Sequence, residues 1–233
     1  MKWGLLAFSA ILALAYGVFG ADWYRGAPPF TAQALFKASS VVVLSLIALM
    51  GGPRLLATGL WFGALGDALL AWRQETFLFG ALAFVFGHLC YIWLFLSNGM
   101  GPRAALRDRT RVLLITATLL VALLASRLTP QNSPLYGPLT VYSAVLTAMA
   151  LSSYTLAWPQ GLAMAGALLF FVSDGFVAWD KFHPDANPTL AFWRGFAGWM
   201  IYWSGQALLC FGGLGLAKRE ANRDPGRAPV LRQ

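Results

Sequence analysis

The 233-residue chain is 58% hydrophobic and only 11% charged, with a mean hydropathy of +0.63. A water-soluble globule carries roughly 25% charged residues. Soluble enzyme folds, disordered chains and nucleic-acid modules are therefore excluded together, despite a net charge of +8. The basic residues lie in short gaps between apolar runs, as membrane topology signals do, and neither a nucleic acid nor an obligate protein partner is indicated.

A spanning helix takes about 20 mainly apolar residues. Eight such runs follow in chain order, at roughly 3–20, 32–50, 54–72, 77–97, 112–128, 138–157, 160–180 and 191–216. They predict an all-α polytopic bundle of about eight transmembrane helices over residues 1–217. Breakers separate them at Pro28-Pro29, Gly51-Gly52-Pro53, Gly99 to Pro102, Pro130 to Pro138, Pro159 and Pro184 to Pro188. Lys2 ahead of the first run also fits a signal peptide, whereas Trp23 and Tyr24, placed as an interfacial anchor, fit a retained span. Trp3, Trp72, Trp158, Trp179 and Trp193 fall at other span ends as a belt. Residues 218–233 read as a basic, disordered cytoplasmic tail.

Eight crossings put both termini on one side. That side collects Lys2, Arg54, the arginines at 103, 107, 109 and 111, and the five basic residues from Lys218 to Arg232. Arg25, Lys37, Arg73, Arg127, Lys181 and Arg194 fall opposite. The positive-inside rule sends both termini to the cytoplasm, and the composition suits a bacterial inner membrane. Gly66-Asp67-Ala68-Leu69-Leu70-Ala71-Trp72 also resembles Ser173-Asp174-Gly175-Phe176-Val177-Ala178-Trp179, four spans later. Duplication of a four-helix unit would give two related halves; chance similarity between apolar helices is the rival.

A carboxylate inside a bilayer costs about 2.5–3.5 kcal/mol on insertion scales and marks a functional candidate. Asp67 and Asp174 qualify, lying roughly 20 and 22 Å along their helices and so at similar depth. Lys37, roughly 9 Å inward from Thr31, could neutralise one of them. His88 lies deeper, with Tyr91 close to the same face. Tyr202, Ser204 and Gln206 in the eighth span, and Gln33 and Ser39 in the second, are further polar candidates. The bland readings make the acids structural ion pairs with Lys37 and Arg73, let Lys37 snorkel to the interface, and leave His88 a packing residue. His183 reads as surface, and Gly59-x-x-x-Gly63 as close helix approach without chemistry.

Two histidines cannot make a three-histidine zinc site, and no nucleophile elbow or phosphate-binding Gly-rich loop occurs. Cys90 and Cys210 sit inside apolar runs and suggest no disulfide framework. No metal or cofactor is expected. What remains is an Asp pair expected to share one proton at neutral pH, the acid and base of a hydrolase. A proton-coupled transporter or exporter of lipid-like substrates would use the same pair, and would show helices broken in matching halves.

The order of motifs resembles the YhhN family of membrane proteins, which includes lysoplasmalogenases. It runs through Lys37, Gly66-Asp67-Ala68-Leu69-Leu70, Phe84-Val85-Phe86-Gly87-His88-Leu89-Cys90-Tyr91 and Ser173-Asp174, within about residues 33–215. The resemblance implies cleavage of the vinyl ether bond of a lysoplasmalogen to a fatty aldehyde and a glycerophospho-headgroup. It implies Asp67 and Asp174 as catalytic carboxylates, with Lys37, His88 and Tyr91 nearby. Lys37 or Arg194 would hold the lipid phosphate. Members often carry Pro directly after the Lys, where this chain has Ala38.

Overall fold

The structure is a computed structural model describing residues 1–26, 30–157, 160–183 and 186–223, with side chains described except at 21–26, 30 and 217–223. The anchor side chains Trp23 and Tyr24, together with Pro28-Pro29, Trp158, Pro159, Pro184 and Asp185, lie outside what is described, as does the tail beyond Arg223. Among the described residues every regular element is helical. The long helices are α1 (Lys2–Gly26), α2 (Phe30–Leu49), α3 (Arg54–Trp72), α4 (Phe77–Asn98), α6 (Arg109–Ala125), α7 (Tyr136–Ser153), α8 (Gly161–Phe182) and α9 (Pro188–Arg223). A one-turn α5 (Pro102–Ala105) and a 3-10 turn at Gln74–Thr76 lie in loops. Among the described residues five segments are long and apolar enough to cross a membrane: Lys2–Gly20, Thr31–Leu49, Arg54–Trp72, Gln74–Asn98 and Gly161–Phe182.

The described breakers at Gly51 to Pro53, Gly99 to Pro102 and Pro130 fall between helices, and three features depart from expectation. Helix α6 starts at Arg109, earlier than the apolar run, because the Asp108 carboxylate accepts from the backbone N–H of Thr110 at 2.9 Å and caps it. Arg111, expected in a solvated loop, is buried instead. Its Nη1 donates to the Tyr154 carbonyl at 2.6 Å and its Nε pairs with Asp108 Oδ2 at 3.3 Å, pinning the α4–α6 loop to the end of α7. Helix α9 continues to Arg223, so no helix end falls at 217.

Helices packed in sequence order, α1–α2, α2–α3, α3–α4, α6–α7, α7–α8 and α8–α9, run antiparallel, whereas α4 runs parallel to α7 and α2 to α9. Ser9 Oγ donates to the Ser40 carbonyl between α1 and α2, and Ser45 Oγ to the Ala57 carbonyl between α2 and α3. Trp199 Nε1 donates to the Ala13 carbonyl, tying α9 to α1. Such bonds and close approach, not the hydrophobic effect, hold helices together in lipid. Helices α8 and α9 approach closely: a Cβ at Gly212 would stand 2.4 Å from the Ala163 nitrogen. Contacts run α2–α3–α4–α7–α8–α9 and back to α2, with α1 outside against α2 and α9, and α6 outside against α7. Leu113, Leu120, Leu123 and Leu124 of α6 are exposed, as are Trp72, Trp179 and Trp193 at one end of the bundle and Trp3 near the other.

Candidate active site

Asp67 and Asp174 sit inside the ring, Asp67 set by side chains from two other helices and Asp174 by one directly and a second through it. Asp67 is 2% exposed. Tyr202 of α9 donates to its Oδ2 at 2.7 Å, and Lys37 of α2 lies 3.8 Å from its Oδ1. The Lys37 ammonium also stands 5.6 Å over the Trp199 ring. A chain of bonds backs this group: Gln206 Nε2 donates to the Tyr202 oxygen at 3.0 Å, and Tyr91 of α4 donates to Gln206 Oε1 at 2.9 Å. The glycines of α3 make room for it. A Cβ at Gly63 would lie 2.5 Å from Gln206 Nε2, and one at Gly59 would lie 2.8 Å from the Tyr91 ring. The Gly59/Gly63 pair gives the close helix approach expected of it, since a Cβ at Gly87 of α4 would fall 3.1 Å from the Gly59 carbonyl, and it also seats the site's polar chain.

Asp174 is less enclosed, being half-buried on α8. Tyr142 of α7 donates to its Oδ2, and Ser173 Oγ lies 3.4 Å from its Oδ1. His88 of α4 reaches the Tyr142 hydroxyl through Nε2 at 3.4 Å, while its buried Nδ1 has no hydrogen-bond partner. Among the described residues no hydrogen bond joins the carboxylates directly, and Lys37 forms its ion pair with Asp67. Phe170, one turn before Asp174, fills the centre with its ring 4.8 Å from His88, 5.1 Å from Tyr202 and 5.8 Å from Phe84.

Of the residues expected at the site, Lys37, Asp67, Tyr91, Tyr202 and Gln206 form one cluster, and His88 and Asp174 belong to the other. Tyr91 and His88 share a helix face but serve different carboxylates. Arg194 joins neither cluster, because Asp180 on α8 engages its Nε. Arg73 pairs with neither acid. Ser39 bonds back to the Phe36 carbonyl, and Gln33 Nε2 is buried without a partner. Tyr142 was not expected. Depth would have revealed it: it lies six residues inside α7, about 9 Å, and Asp174 lies eight residues from the end of antiparallel α8, about 12 Å. A groove of about 350 Å³ between α6 and α7 is lined by Thr140, Ser143 and Thr147. It opens on the side of α7 away from Tyr142.

Residues 32–213 match the YhhN family, a stretch that contains every residue of both clusters. The chain is 33% identical over 178 residues to lysoplasmalogenase TMEM86A of Bos taurus, covering 69% of this chain and 71% of that one. It is 34% identical over 175 residues to lysoplasmalogenase TMEM86B of Sus scrofa, covering 69% and 68%. To a lysoplasmalogenase of Mycobacterium bovis it is 32% identical over 187 residues, covering 72% and 70%. No solved structure matches. With the family match extending from α2 into α9 and relatives from mammals and mycobacteria aligned over two thirds of their length, the chain belongs to the YhhN family.

Proposed function

We propose that this protein is a membrane-embedded hydrolase that cleaves the vinyl ether bond of lysoplasmalogens to a fatty aldehyde and a glycerophospho-headgroup. The observation that carries this reading is two intramembrane carboxylates in one ring of helices, only one of them beside a cation. Lys37 and the Tyr202 hydroxyl mark Asp67 as the carboxylate of the pair. Asp174, with no cation in contact among the described residues, serves as the acid. Tyr142 occupies its Oδ2, leaving Oδ1 to carry the proton toward substrate.

In the reaction Asp174 protonates the β-carbon of the vinyl ether, and the positive charge that develops on the α-carbon and ether oxygen is stabilised by Asp67. Water adds to the α-carbon and gives its proton to Asp67. The resulting hemiacetal collapses as Asp67 returns that proton to the departing glycerol oxygen and Asp174 takes the hydroxyl proton. Aldehyde and glycerophospho-headgroup leave, and both carboxyl groups are restored.

We read all eight long helices as membrane-spanning, with the N-terminus and the end of α9 in the cytoplasm, and the two four-helix halves as related. Supporting this, the neighbours α2–α3, α3–α4 and α4–α7 have counterparts in α7–α8, α8–α9 and α9–α2. The clusters follow the same relation in part, since Lys37 and Tyr202 contact Asp67 while Tyr142 contacts Asp174 directly and His88 reaches it through the Tyr142 hydroxyl. The Asp-bearing helices α3 and α8 are unbroken, which favours hydrolysis over transport on broken helices.

The test offers purified protein a lysoplasmalogen, an alkyl-ether lysolipid and an ester lysolipid, with products read by mass spectrometry. Aldehyde should come from the vinyl ether alone and disappear in Asp67→Asn and Asp174→Asn variants that still fold. An Asn variant at the wild-type rate would refute the Asp mechanism. Proton-coupled lipid uptake into vesicles without any product would establish transport instead.

A further inference from the structure

We propose that Lys181 binds the phosphate of the substrate, fixing a lysophospholipid along α8 with its vinyl ether at Asp174. This inference rests on the hydrolase reading above and adds the group that recognises the headgroup. Asp174, Ala178 and Lys181 stand at i, i+4 and i+7 on one face of α8. Seven residues of helix place the Lys181 backbone about 10 Å beyond Asp174, toward the end of the bundle where α8 finishes. In a lysoplasmalogen the β-carbon that takes the proton and the phosphorus are seven bonds apart. An extended chain advances about 1.2 Å per bond, or about 8 Å over those seven bonds. The flexible four-carbon stem of lysine closes the remaining gap to a phosphate oxygen.

The same face of α8 changes character at Asp174. Below it, Ala167 and Phe170 are fully covered; above it, Val177 is 44% exposed and Lys181 is exposed. A Cβ at Gly175, the next residue, would meet nothing within 4 Å. An extended lipid can therefore lie against α8 beyond Asp174 without displacing a helix.

The other cations considered for the phosphate are engaged elsewhere, Lys37 beside Asp67 and Arg194 with Asp180. Lys181 forms no ion pair with a carboxylate among the described residues. Its ammonium stands 4.6 Å over the Phe77 ring at the start of α4, which positions the charge between α8 and α4 without neutralising it.

Two substrates separate phosphate recognition from chemistry: a 1-alkenyl lysophosphoethanolamine and a 1-alkenylglycerol lacking the phosphate. In full-length protein in detergent, Lys181→Met should raise KM for the phospholipid about tenfold, the scale of one charge-assisted contact, with kcat within twofold of wild type. KM for the alkenylglycerol should not move, and Lys181→Arg should restore phospholipid KM. Binding of a non-cleavable alkyl-ether lysophosphoethanolamine, measured by equilibrium dialysis, should weaken by the same factor in Lys181→Met. That loss of binding upholds the phosphate site even if wild-type protein turns nothing over, an outcome that would refute only the hydrolase reading. Unchanged phospholipid KM and binding in Lys181→Met, or an equal rise in KM for both substrates, overturns the assignment.

Discussion

Tyr202→Phe removes one oxygen and tests whether the buried chain of bonds behind Asp67 supports catalysis. The ring can keep its place, since its contacts with Phe170 at 5.1 Å, Phe84 at 5.9 Å and Trp199 at 5.5 Å do not involve the hydroxyl. Two bonds disappear: the 2.7 Å donation to Asp67 Oδ2 and the 3.0 Å acceptance from Gln206 Nε2. A hydrogen bond to a charged group contributes about 1.5–3 kcal/mol. If it acts on the transition state through Asp67, kcat/KM should fall roughly 10- to 150-fold, at 1.36 kcal/mol per decade. Leaving Gln206 Nε2 buried and unpaired should separately cost about 1–3 kcal/mol of stability. The assay is aldehyde release from lysoplasmalogen, with thermal unfolding in detergent measured on the same preparation. A lower melting temperature with kcat/KM within twofold of wild type would refute a catalytic role for the chain and leave it structural.

Tyr142→Phe should lower kcat about tenfold with KM unchanged, because it removes the donor to Asp174 Oδ2; a change confined to KM would place Tyr142 on the substrate instead. Gly63→Ala forces a methyl to within 2.5 Å of Gln206 Nε2, so either the side chain or the helix must shift. It should reduce activity about tenfold or more, whereas Gly175→Ala, which meets open space, should fold normally; comparable activity in Gly63→Ala and wild type would contradict the packing described. Arg111→Met should lower the unfolding temperature by an amount equivalent to about 3 kcal/mol, through loss of a buried cation held by Tyr154 and Asp108, with little effect on KM.

Much of this was legible in the sequence because lipid imposes a simple rule: apolar runs of one length between breakers. That rule located the long helices, with α3 expected at 54–72 and found at Arg54–Trp72. It also made Asp67, Asp174 and Lys37 conspicuous, since charge within an apolar run stands out. It was blind where a polar group is also a good membrane residue. Tyr142 carries one hydroxyl on an apolar ring and left no mark in hydropathy, although it donates to a central carboxylate. Arg111 misled in the opposite direction, because charge at a span end reads as topology, and only the fold shows the Tyr154 carbonyl that receives it. The separation of His88 from Tyr91 depends on which neighbours α4 meets on each side, and those long-range contacts are not encoded in spacing along one helix.

Lys37 permits a sharper distinction between stability and catalysis than any single Asp variant. The sequence offered two places for its ammonium, on a lipid phosphate or beside a carboxylate, and the structure puts it 3.8 Å from Asp67 with the side chain 18% exposed. Lys37→Met should therefore reduce kcat and leave KM for lysophospholipid unchanged, the converse of Lys181→Met. It should also destabilise the protein by about 3 kcal/mol, because breaking a buried pair from one side leaves the partner's charge uncompensated. Removing both charges should undo the second effect without the first, since replacing a buried pair by groups of similar volume is near neutral for stability. Lys37→Met/Asp67→Asn should then melt close to wild type while producing no aldehyde. A double variant as unstable as Lys37→Met alone would show that the lysine acts through packing on Trp199, 5.6 Å below its ammonium, and would remove the ion pair from the proposal that Asp67 is the charged member of the pair.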